Sequence, residues 1–286
     1  MQYHIVTIFP GFFAGIFEHG ILRRAQAEGL VTIATHDLRT FTHDRHRTVD
    51  DRPFGGGEGM VLKPVPLAEA ITALGVKPKA RDRGSEIRDQ KTSVVLLSAQ
   101  GRPFTQAVAR HFSTIDRIIL VCGRYEGVDE RINQLYCDME LSIGDYVLSG
   151  GELAAAVVVD AAMRLVPGVL GNEASGEYES FGVADAEIAT CIDGVPRSQH
   201  GSGGLLDYPH YTRPAEFAGL SVPDVLLNGD HSQIRRWRRE QQLRKTLANR
   251  PDLIDRATLT TEDLKLLEAI KLDATKQEVN RQEETS

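Results

Sequence analysis

The sequence of 286 residues contains few cysteines, and none of them forms a CxxC pair. Its three cysteines, Cys122, Cys137 and Cys191, leave one thiol unmatched in any disulfide scheme. Free thiols in a reducing compartment are therefore the simpler interpretation. Cys122 follows an apolar run, so we expect it to fill a core rather than act as a nucleophile.

Long hydrophobic runs are also missing. The longest apolar stretch, LAAAVVV at residues 153–159, ends at Asp160 and is far shorter than a membrane span. The N-terminus MQYHIVTIFPG has no basic residues ahead of its apolar run, and that run is too short for a signal peptide. These absences predict a cytoplasmic protein that makes no membrane contact.

Several common catalytic and nucleotide-binding signatures are absent. The sequence has no GxxxxGK[ST] phosphate loop, no GxGxxG that opens a helix and no GxSxG elbow. A P-loop protein and a serine hydrolase are therefore disfavoured. The net charge of −7, from 33 basic and 40 acidic residues, argues against nucleic acid coating the whole surface, and we expect no DNA partner.

Strand-like and helix-like segments alternate through residues 1–167. Two continuous apolar runs, SVVLLS at 93–98 and RIILVC at 117–122, are typical of strands buried on both faces of a parallel sheet. Residues 3–9 and 30–36 predict two further strands. Helices are predicted at residues 14–28, 66–74, 105–112, 129–135 and 151–165. This alternation predicts an α/β layered domain.

The remaining sequence differs from this pattern in two ways. Residues 168–206 contain many glycines and no sustained periodicity, which we interpret as a flexible interdomain linker. Residues 207–286 predict a small all-helical C-terminal domain. Its segment 231–250 contains six arginines and one lysine against a single acid, Glu240. Thr260 and Asp263 fit a capping box that starts a later helix.

Three glycine-containing turns follow apolar segments of the predicted α/β domain. They are SAQGRPF at 98–104, CGRYEG at 122–127 and SIGDYVLSGGE at 142–152. Ligands of open parallel sheets bind beyond the carboxyl ends of the strands, and glycine lets backbone approach a ligand closely. One such turn is more often plain architecture, but three at one sheet edge favour a ligand site.

Six segments of the sequence form an ordered set. They are DRPFGGGEGMVLKP at 51–64, CGRYEGVDER at 122–131, SIGDYVLSGGEL at 142–153, RLVPGVLGN at 164–172, DYPHYTRP at 207–214 and GDHSQIRRWRREQQLRKT at 229–246. This set closely resembles the bacterial tRNA (guanine-N1)-methyltransferases of the TrmD type, from about residue 3 to residue 250. The resemblance implies the SPOUT fold, with a parallel-sheet domain tied in a trefoil knot, a rare exception to normal chain topology. It also implies a homodimer with composite active sites.

The resemblance further implies that the turns form a pocket for S-adenosylmethionine. The residues in the corresponding positions are Leu97, Ser98, Gly123, Tyr125, Glu126, Ile143, Gly144, Asp145, Tyr146, Val147, Leu148, Gly150 and Gly151. Glu126 is open to two interpretations, as a surface acid or as a ligand of Mg²⁺ or water. Ala99 departs from the family, which usually has proline there.

The implied reaction is methyl transfer to N1 of guanosine 37 of tRNA, beside the anticodon. It removes a weakly acidic proton while negative charge gathers on O6, a task for a carboxylate and a guanidinium. By family position these groups are Glu179, where the family usually has aspartate, and Arg164. Glu177 and Asp185 remain alternatives for the base. Arg164 could also simply complement the dipole at a helix end.

The resemblance also places tRNA against the arginines of an early loop and of the basic helix. The implied contacts are Asp51, Arg52, Gly59, Arg235, Arg236, Arg238 and Arg239, and Arg45 and Arg47 lie near the first of these. Trp237, within the basic helix, either anchors the helix in its own core or stacks on a base, and we favour the core. His43 and His46 are expected to face RNA or water rather than a zinc ion.

Two other functions remain open, as does the role of an insertion. The protein could be a non-catalytic RNA-binding relative or a methyltransferase of a small molecule. The first would have an eroded cofactor pocket, whereas these motifs are intact, and the second would have no use for the basic helix.

Residues 182–203 form an insertion of about twenty residues in a linker that is normally short in the family the sequence resembles.

Overall fold

The computed structural model describes residues 1–79, 91–171, 179–182, 191–192, 195–196, 202–257 and 259–284. The chain divides into two compact units, Met1–Gly171 and Asn172–Ser286. This division falls close to the predicted domain end at residue 167, while the separate linker at 168–206 stays a prediction. Glu177 and Asp185 lie outside the described residues.

The first unit is built on a parallel sheet of five strands. They are β1 (Gln2–Thr7), β2 (Thr32–Asp37), β5 (Thr92–Pro103), β6 (Arg117–Cys122) and β7 (Met139–Ser142), with a short antiparallel pair, β3 (Asp50–Asp51) and β4 (Val61–Leu62), outside the sheet. The strand order is β2–β1–β6–β5–β7. The parallel α/β prediction is confirmed, and the knot stays a prediction because strand order does not define how a chain threads.

Helices cover both faces of this sheet. They are α1 (Gly20–Ala27), α2 (Pro64–Ala73), α3 (Gln106–Ser113), α4 (Glu130–Tyr136) and α5 (Glu152–Met163). The prediction of a helix from residue 14 was wrong at its start. Residues Pro10–Phe13 form a 3₁₀ helix instead, and Gly15 and Gly20 have positive φ angles of 85° and 57°, which interrupt a helical run.

The continuous apolar character of the central strands follows from burial on both sides. In β6, Ile118 and Leu120 pack into one core with residues of α3 and α5. The alternate residues, Ile119 and Val121, pack into a second core with residues of α2 and α4. Because successive side chains of a strand point to opposite faces, both sets must be apolar.

The second unit is mainly helical, as predicted. Its helices are α6 (His231–Asn249), α7 (Pro251–Ile254) and α8 (Thr261–Glu284), around a small core that includes Leu205, Leu243 and Ile270. Two hairpins of two-residue strands were not predicted: β8 (Cys191–Ile192) with β9 (Val195–Pro196), and β10 (Glu216–Phe217) with β11 (Leu220–Ser221). Strands this short carry no readable alternation. No helix among the described residues has both the length and the apolarity to cross a membrane.

The capping box at the start of α8 is confirmed and has a second role. The backbone N–H of Thr260 donates to Asp263 Oδ2 over 2.9 Å, and Asp263 N–H donates to Thr260 Oγ1 over 3.1 Å. Arg239 of α6 also donates to both oxygens of Asp263, over 2.7 and 2.8 Å. The carboxylate side chain is 5% exposed, so this pair joins α6 to α8 inside the unit.

We predict that Asp263→Asn destabilises the second unit by about 3 kcal/mol, because it leaves the Arg239 guanidinium without its partner. Burial alone would raise the pKa of Asp263, but the hydrogen bonds from Arg239 and Thr260 outweigh it and lower the pKa. The stabilisation is therefore complete above the ordinary aspartate pKa and is lost as pH falls through the lowered value. Urea unfolding of the wild-type protein and of Asp263→Asn, from neutral pH down through the lowered pKa of Asp263, measures the difference in free energy of unfolding.

The matched control is Asp252→Asn, which removes the exposed pair between Asp252 and Arg250. Solvent-exposed ion pairs contribute little, so no change in the urea midpoint is expected for this variant. Equal midpoints for Asp263→Asn and wild type would contradict the structural role of the Arg239–Asp263 pair.

Candidate functional site

A cavity of about 350 Å³ lies at the carboxyl ends of β6 and β7 and beside the part of β5 where its pairing shifts register. Two of the three predicted turns, 122–127 and 142–152, form its wall. The third prediction, a turn at 98–104, was wrong, because β5 continues to Pro103; the pairing of β5 with β7 shifts register between Leu97 and Arg102, and Ser98, Ala99 and Gln100 in this irregular part line the cavity. It contains every residue that the resemblance assigned to the cofactor except Asp145: Leu97, Ser98, Gly123, Tyr125, Glu126, Ile143, Gly144, Tyr146, Val147, Leu148, Gly150 and Gly151. The two turns and the irregular part of β5 therefore converge on one site, as the sheet-edge argument predicts.

Close backbone packing explains Gly101, near this cavity, and Gly151, which lines it. A Cβ on Gly101 would lie 2.4 Å from the backbone nitrogen of Leu141, and one on Gly151 would lie 2.7 Å from the Cα of Cys122. The N–H of Gly151 donates to the carbonyl of Gly123 over 2.9 Å. Any side chain at these positions would push the turns apart, since backbone atoms cannot move aside.

The turn after β7 presents apolar and aromatic side chains to solvent. The Tyr146 ring lies against Gly144, where a Cβ would come within 2.4 Å of it, and Tyr146 Oη donates to the carbonyl of Ile143 over 3.2 Å. Val147 is 87% exposed. Tyr125, in the turn after β6, has a φ of 61°, a strained conformation for a residue with a side chain. Such exposed apolar groups and local strain are features of binding sites.

The loop that carries Asp51, Arg52 and Gly59 adjoins the same cavity. The backbone N–H of Glu126 donates to the carbonyl of Met60 over 2.9 Å. A Cβ on Gly59 would lie 2.4 Å from Glu126 Oε1, so the Glu126 side chain packs on that glycine. Three of the residues predicted to contact tRNA are thus part of a loop joined directly to the cavity wall.

A buried ion pair at the cavity wall, which Arg124 lines, was missed by the sequence analysis. Glu152, which is 1% exposed, accepts from Arg124 Nε over 3.0 Å and lies 2.9 Å from Arg124 Nη2. Its other oxygen accepts from Thr7 Oγ1 over 2.7 Å, and the Arg124 guanidinium lies over the Phe9 ring at 4.6 Å. The sequence did contain a signal for this pair: Arg124 and Glu152 carry opposite charges, and each lies in one of the two glycine-rich turns.

This ion pair connects three elements. Arg124 follows β6, Glu152 begins α5 and Thr7 ends β1. A Cβ on Gly150 would lie 2.1 Å from Arg124 Nε, so the third turn closes directly over the guanidinium. The network holds the walls of the cavity in position without itself supplying a reactive group.

Cys122 is buried in the core and His43 lies on the surface. Burial raises the pKa of the Cys122 thiol well above its usual value, with Glu152 adding to the effect, so the thiol is a poor nucleophile. His43 pairs with Glu69 over 2.9 Å on the surface. Among the described residues, no group of three or more His, Cys, Asp or Glu side chains could hold a metal ion.

The two predicted catalytic residues belong to different units. Arg164 is the residue that ends α5, at the opposite end of this helix from Gly151. Glu179 lies in the second unit, in a short segment held by a hydrogen bond of 2.9 Å from the N–H of Phe181 to the carbonyl of Leu205. Their roles stay predictions at this point.

The predicted tRNA-binding arginines of α6 fall into two groups. Arg235, Arg236 and Arg238 are exposed. Arg239 is instead held by Asp263 and also donates to the carbonyl of Ser202 over 3.0 Å. Its guanidinium therefore has a structural role in the unit, and its contact with tRNA stays a prediction.

Trp237 lies outside the core of the second unit, contrary to the favoured interpretation. It is half-buried, and the core cluster is formed by Leu205, Leu243 and Ile270. The Trp237 ring lies beside Tyr211, with 6.2 Å between ring centroids. Trp237 and Tyr211 both line a second cavity, at the surface of this unit.

The fold and the cavity define an α/β domain that binds a small organic ligand at the carboxyl edge of its sheet, through glycine-rich turns without a phosphate loop. The family described as tRNA (Guanine-1)-methyltransferase TrmD matches residues 1–256. The chain therefore belongs to the tRNA (guanine-1)-methyltransferase family. Its enzymes use S-adenosylmethionine as the methyl donor.

Curated relatives support this membership along nearly the whole chain. A protein named tRNA (guanine-N(1)-)-methyltransferase from Koribacter versatilis is 54% identical over 95% of this chain and 98% of its own length. Relatives of the same name from Dictyoglomus turgidum and Geobacter metallireducens are 47% and 44% identical, over 95% and 96% of this chain and 97% and 100% of their own lengths.

We predict that Gly151→Ala weakens S-adenosylmethionine binding by roughly tenfold or more, because the added methyl group would force Cys122 and Gly151 apart, with the strain of an overpacked site. Calorimetric titration measures the change. Gly11→Ala is the control, since a Cβ there meets no atom within 4 Å and should leave binding unchanged. Wild-type affinity in Gly151→Ala would show that the turns do not depend on this close approach.

Proposed function

We propose that the protein transfers the methyl group of S-adenosylmethionine to N1 of guanosine 37 in tRNA, next to the anticodon. The observation that carries the proposal is the cavity, whose wall contains twelve of the thirteen residues assigned to the cofactor by family position. A non-catalytic RNA-binding protein has less support, since this pocket is intact. A small-molecule methyltransferase has less support too, since the exposed arginines of α6 would have no use.

The residues at the cavity suit this cofactor. Its volume of about 350 Å³ lies in the range of small-molecule sites. Backbone turns can hydrogen-bond a neutral adenine, and Tyr146, Val147 and Leu148 supply apolar surface beside them. When bound, S-adenosylmethionine supplies a methyl group on a sulfonium, and the chain holds and orients it.

Glu179 and Arg164 supply the acid–base and electrostatic parts of the reaction. The Glu179 carboxylate accepts the N1 proton of guanine as N1 becomes nucleophilic. The Arg164 guanidinium stabilises the negative charge that gathers on O6. Both roles rest on family position and on chemistry that suits a carboxylate and a guanidinium.

The length of α5 supports a homodimer with composite active sites. α5 has 12 residues, so at 1.5 Å per residue about 18 Å separates the Gly151 end, in the cavity wall, from Arg164. This separation favours an arrangement in which the Arg164 that acts at one cavity comes from a second copy of the chain. Leu153 and Val157, one turn apart on α5, are 50% and 45% exposed, as an interface between copies requires.

The tRNA substrate contacts the exposed arginines of α6 and the loop that contains Asp51, Arg52 and Gly59. The exposed arginines of α6 form a local cationic cluster, which attracts phosphates even in an acidic protein. Mg²⁺ near Glu126 also belongs to the proposal. Magnesium commonly binds through one or two carboxylates together with water or phosphate oxygens, so one glutamate is a sufficient protein ligand. A tRNA substrate fits a cytoplasmic location.

We predict that the purified protein, given S-adenosylmethionine and unmodified tRNA, forms 1-methylguanosine at position 37. Glu179→Gln should lower the methyl-transfer step by roughly 10²- to 10⁴-fold, the usual contribution of a positioned base. Cofactor binding should stay nearly unchanged. Nucleoside mapping and single-turnover rates at saturating tRNA measure both outcomes.

Two variants sharpen this test. Glu179→Asp restores the usual acid of the family and should retain much of the rate, which separates loss of the carboxylate from loss of its length. Arg164→Ala should lower the same step, with losses that do not add to those of Glu179→Gln. Methylation at another position would refute the proposed reaction. A near-normal rate for Glu179→Gln would move the base to Glu177 or Asp185.

We predict that Val157→Asp shifts the protein to a monomer and abolishes methyl transfer, because it places an unpaired charge in the proposed interface. Light scattering and circular dichroism measure assembly and folding separately. Val65→Asp, at a residue of α2 that is 59% exposed, is the control and should remain dimeric.

Mixing two impaired variants, at an S-adenosylmethionine concentration too low to saturate Gly151→Ala, tests the composite site directly. A heterodimer of Arg164→Ala with Gly151→Ala contains one site with a normal cavity and a normal Arg164 if these come from different chains. Activity should return on mixing. A monomer that turns over at full rate at nanomolar concentration is incompatible with this proposal.

A further inference from the structure

The second unit contains a groove of its own, with a volume of about 400 Å³. It lies between the segment 208–215 and α6 and includes residues from the 3₁₀ turn at Asp224–Leu226. Three of its lining residues, Tyr208, Tyr211 and Trp237, have large aromatic rings. None of the residues proposed for methyl transfer lines it, so the reaction leaves this groove unexplained.

The aromatic rings are arranged as an open surface rather than as a closed core. Tyr211 and Trp237 are tilted by 56° with ring centroids 6.2 Å apart. Tyr211 is 49% exposed, so a large part of its ring remains available to a ligand. Tyr208 and His210 also line the groove, and the centroids of their rings lie 4.7 Å apart.

The polar groups of the groove are positively charged or neutral. The guanidinium of Arg238 lies 4.9 Å from the centroid of the Tyr208 ring, a cation–π contact that fixes both side chains. Arg213 also lines the groove, and its described lining residues include no acid. The nearby Asp207 is paired with His210 over 3.0 Å.

The chemistry of this groove matches an unstacked nucleotide. Proteins that bind single-stranded nucleic acid combine aromatic side chains, on which bases stack, with a positively charged track for the backbone. Arg213 and Arg238, which line the groove, provide such a charge, and the exposed Arg235 lies one turn before Arg238 on α6. An acidic peptide would use the arginines but would leave the aromatic faces without a planar partner.

We propose that this groove binds one unpaired base of the tRNA, stacked on Tyr211 and Trp237, with its phosphates held by Arg238 and the neighbouring arginines. The inference rests on the proposed function, which makes tRNA the substrate. It adds a binding subsite on the second unit that is separate from the groups that perform the reaction.

The sequence contains a single tryptophan, so intrinsic fluorescence of the full-length protein reports on this groove. Titration with unmodified tRNA should quench Trp237 emission in a saturable way. Tyr211→Ala should weaken tRNA binding by about 5- to 150-fold, the range found when one base–aromatic stack is removed. This loss should raise KM for tRNA, while kcat at saturating tRNA and the affinity for S-adenosylmethionine stay unchanged.

Two variants separate stacking from general disruption. Tyr211→Phe keeps the ring and should bind tRNA as wild type does. Phe217→Ala removes a ring that is 74% exposed on the β10–β11 hairpin and does not line the groove, so it should also behave as wild type.

Three results would overturn the subsite. One is normal tRNA methylation with unquenched Trp237, and another is a wild-type KM for Tyr211→Ala. The third is an emission change that follows protein concentration without tRNA, which would mean that a second copy of the chain covers the groove. These results differ from failure of the proposed function itself. In that case the wild-type protein would methylate no tRNA, whether or not tRNA quenches its Trp237 fluorescence.

Discussion

The buried pair of Arg124 and Glu152 is the interaction on which the cofactor cavity depends. It joins the turn after β6, the start of α5 and the end of β1 at the cavity wall. A buried ion pair adds little net stability compared with apolar packing, but leaving one partner alone is costly. Its contribution is therefore to geometry, since only an arrangement that keeps the turns together satisfies both charges. Close packing between Gly151 and Cys122 then leaves no space in which the turns could shift.

The same helix links this geometry to the proposed reaction. α5 starts in the cavity wall and ends at Arg164, so its length sets the separation between cofactor and guanidinium within one chain. A rigid helix cannot shorten that distance, which favours a second copy as the source of the guanidinium. The exposed Leu153 and Val157 on this helix fit the same arrangement. Assembly and catalysis are in this proposal two consequences of one structural element.

In the second unit, neighbouring arginines of α6 have different roles. Arg239 is held inside the unit by Asp263, while Arg235, Arg236 and Arg238 remain exposed and Arg238 lines the aromatic groove. The buried pair orients α6 against α8, and this orientation decides which side of α6 faces solvent. A protein with a net negative charge can thus present a local cationic surface to RNA.

The sequence by itself determined the parallel α/β domain, the helical second unit, the capping box at Thr260 and the family. Each of these depends on local periodicity or on contiguous motifs. Only the tertiary structure decided that Arg124 pairs with Glu152, that Arg239 belongs to the fold, and that Trp237 lines a groove. The partners in these contacts are 24 to 28 residues apart, as in Arg239–Asp263 and Arg124–Glu152, or lie on separate segments. No local pattern encodes such contacts, because they arise only when packing brings distant residues together.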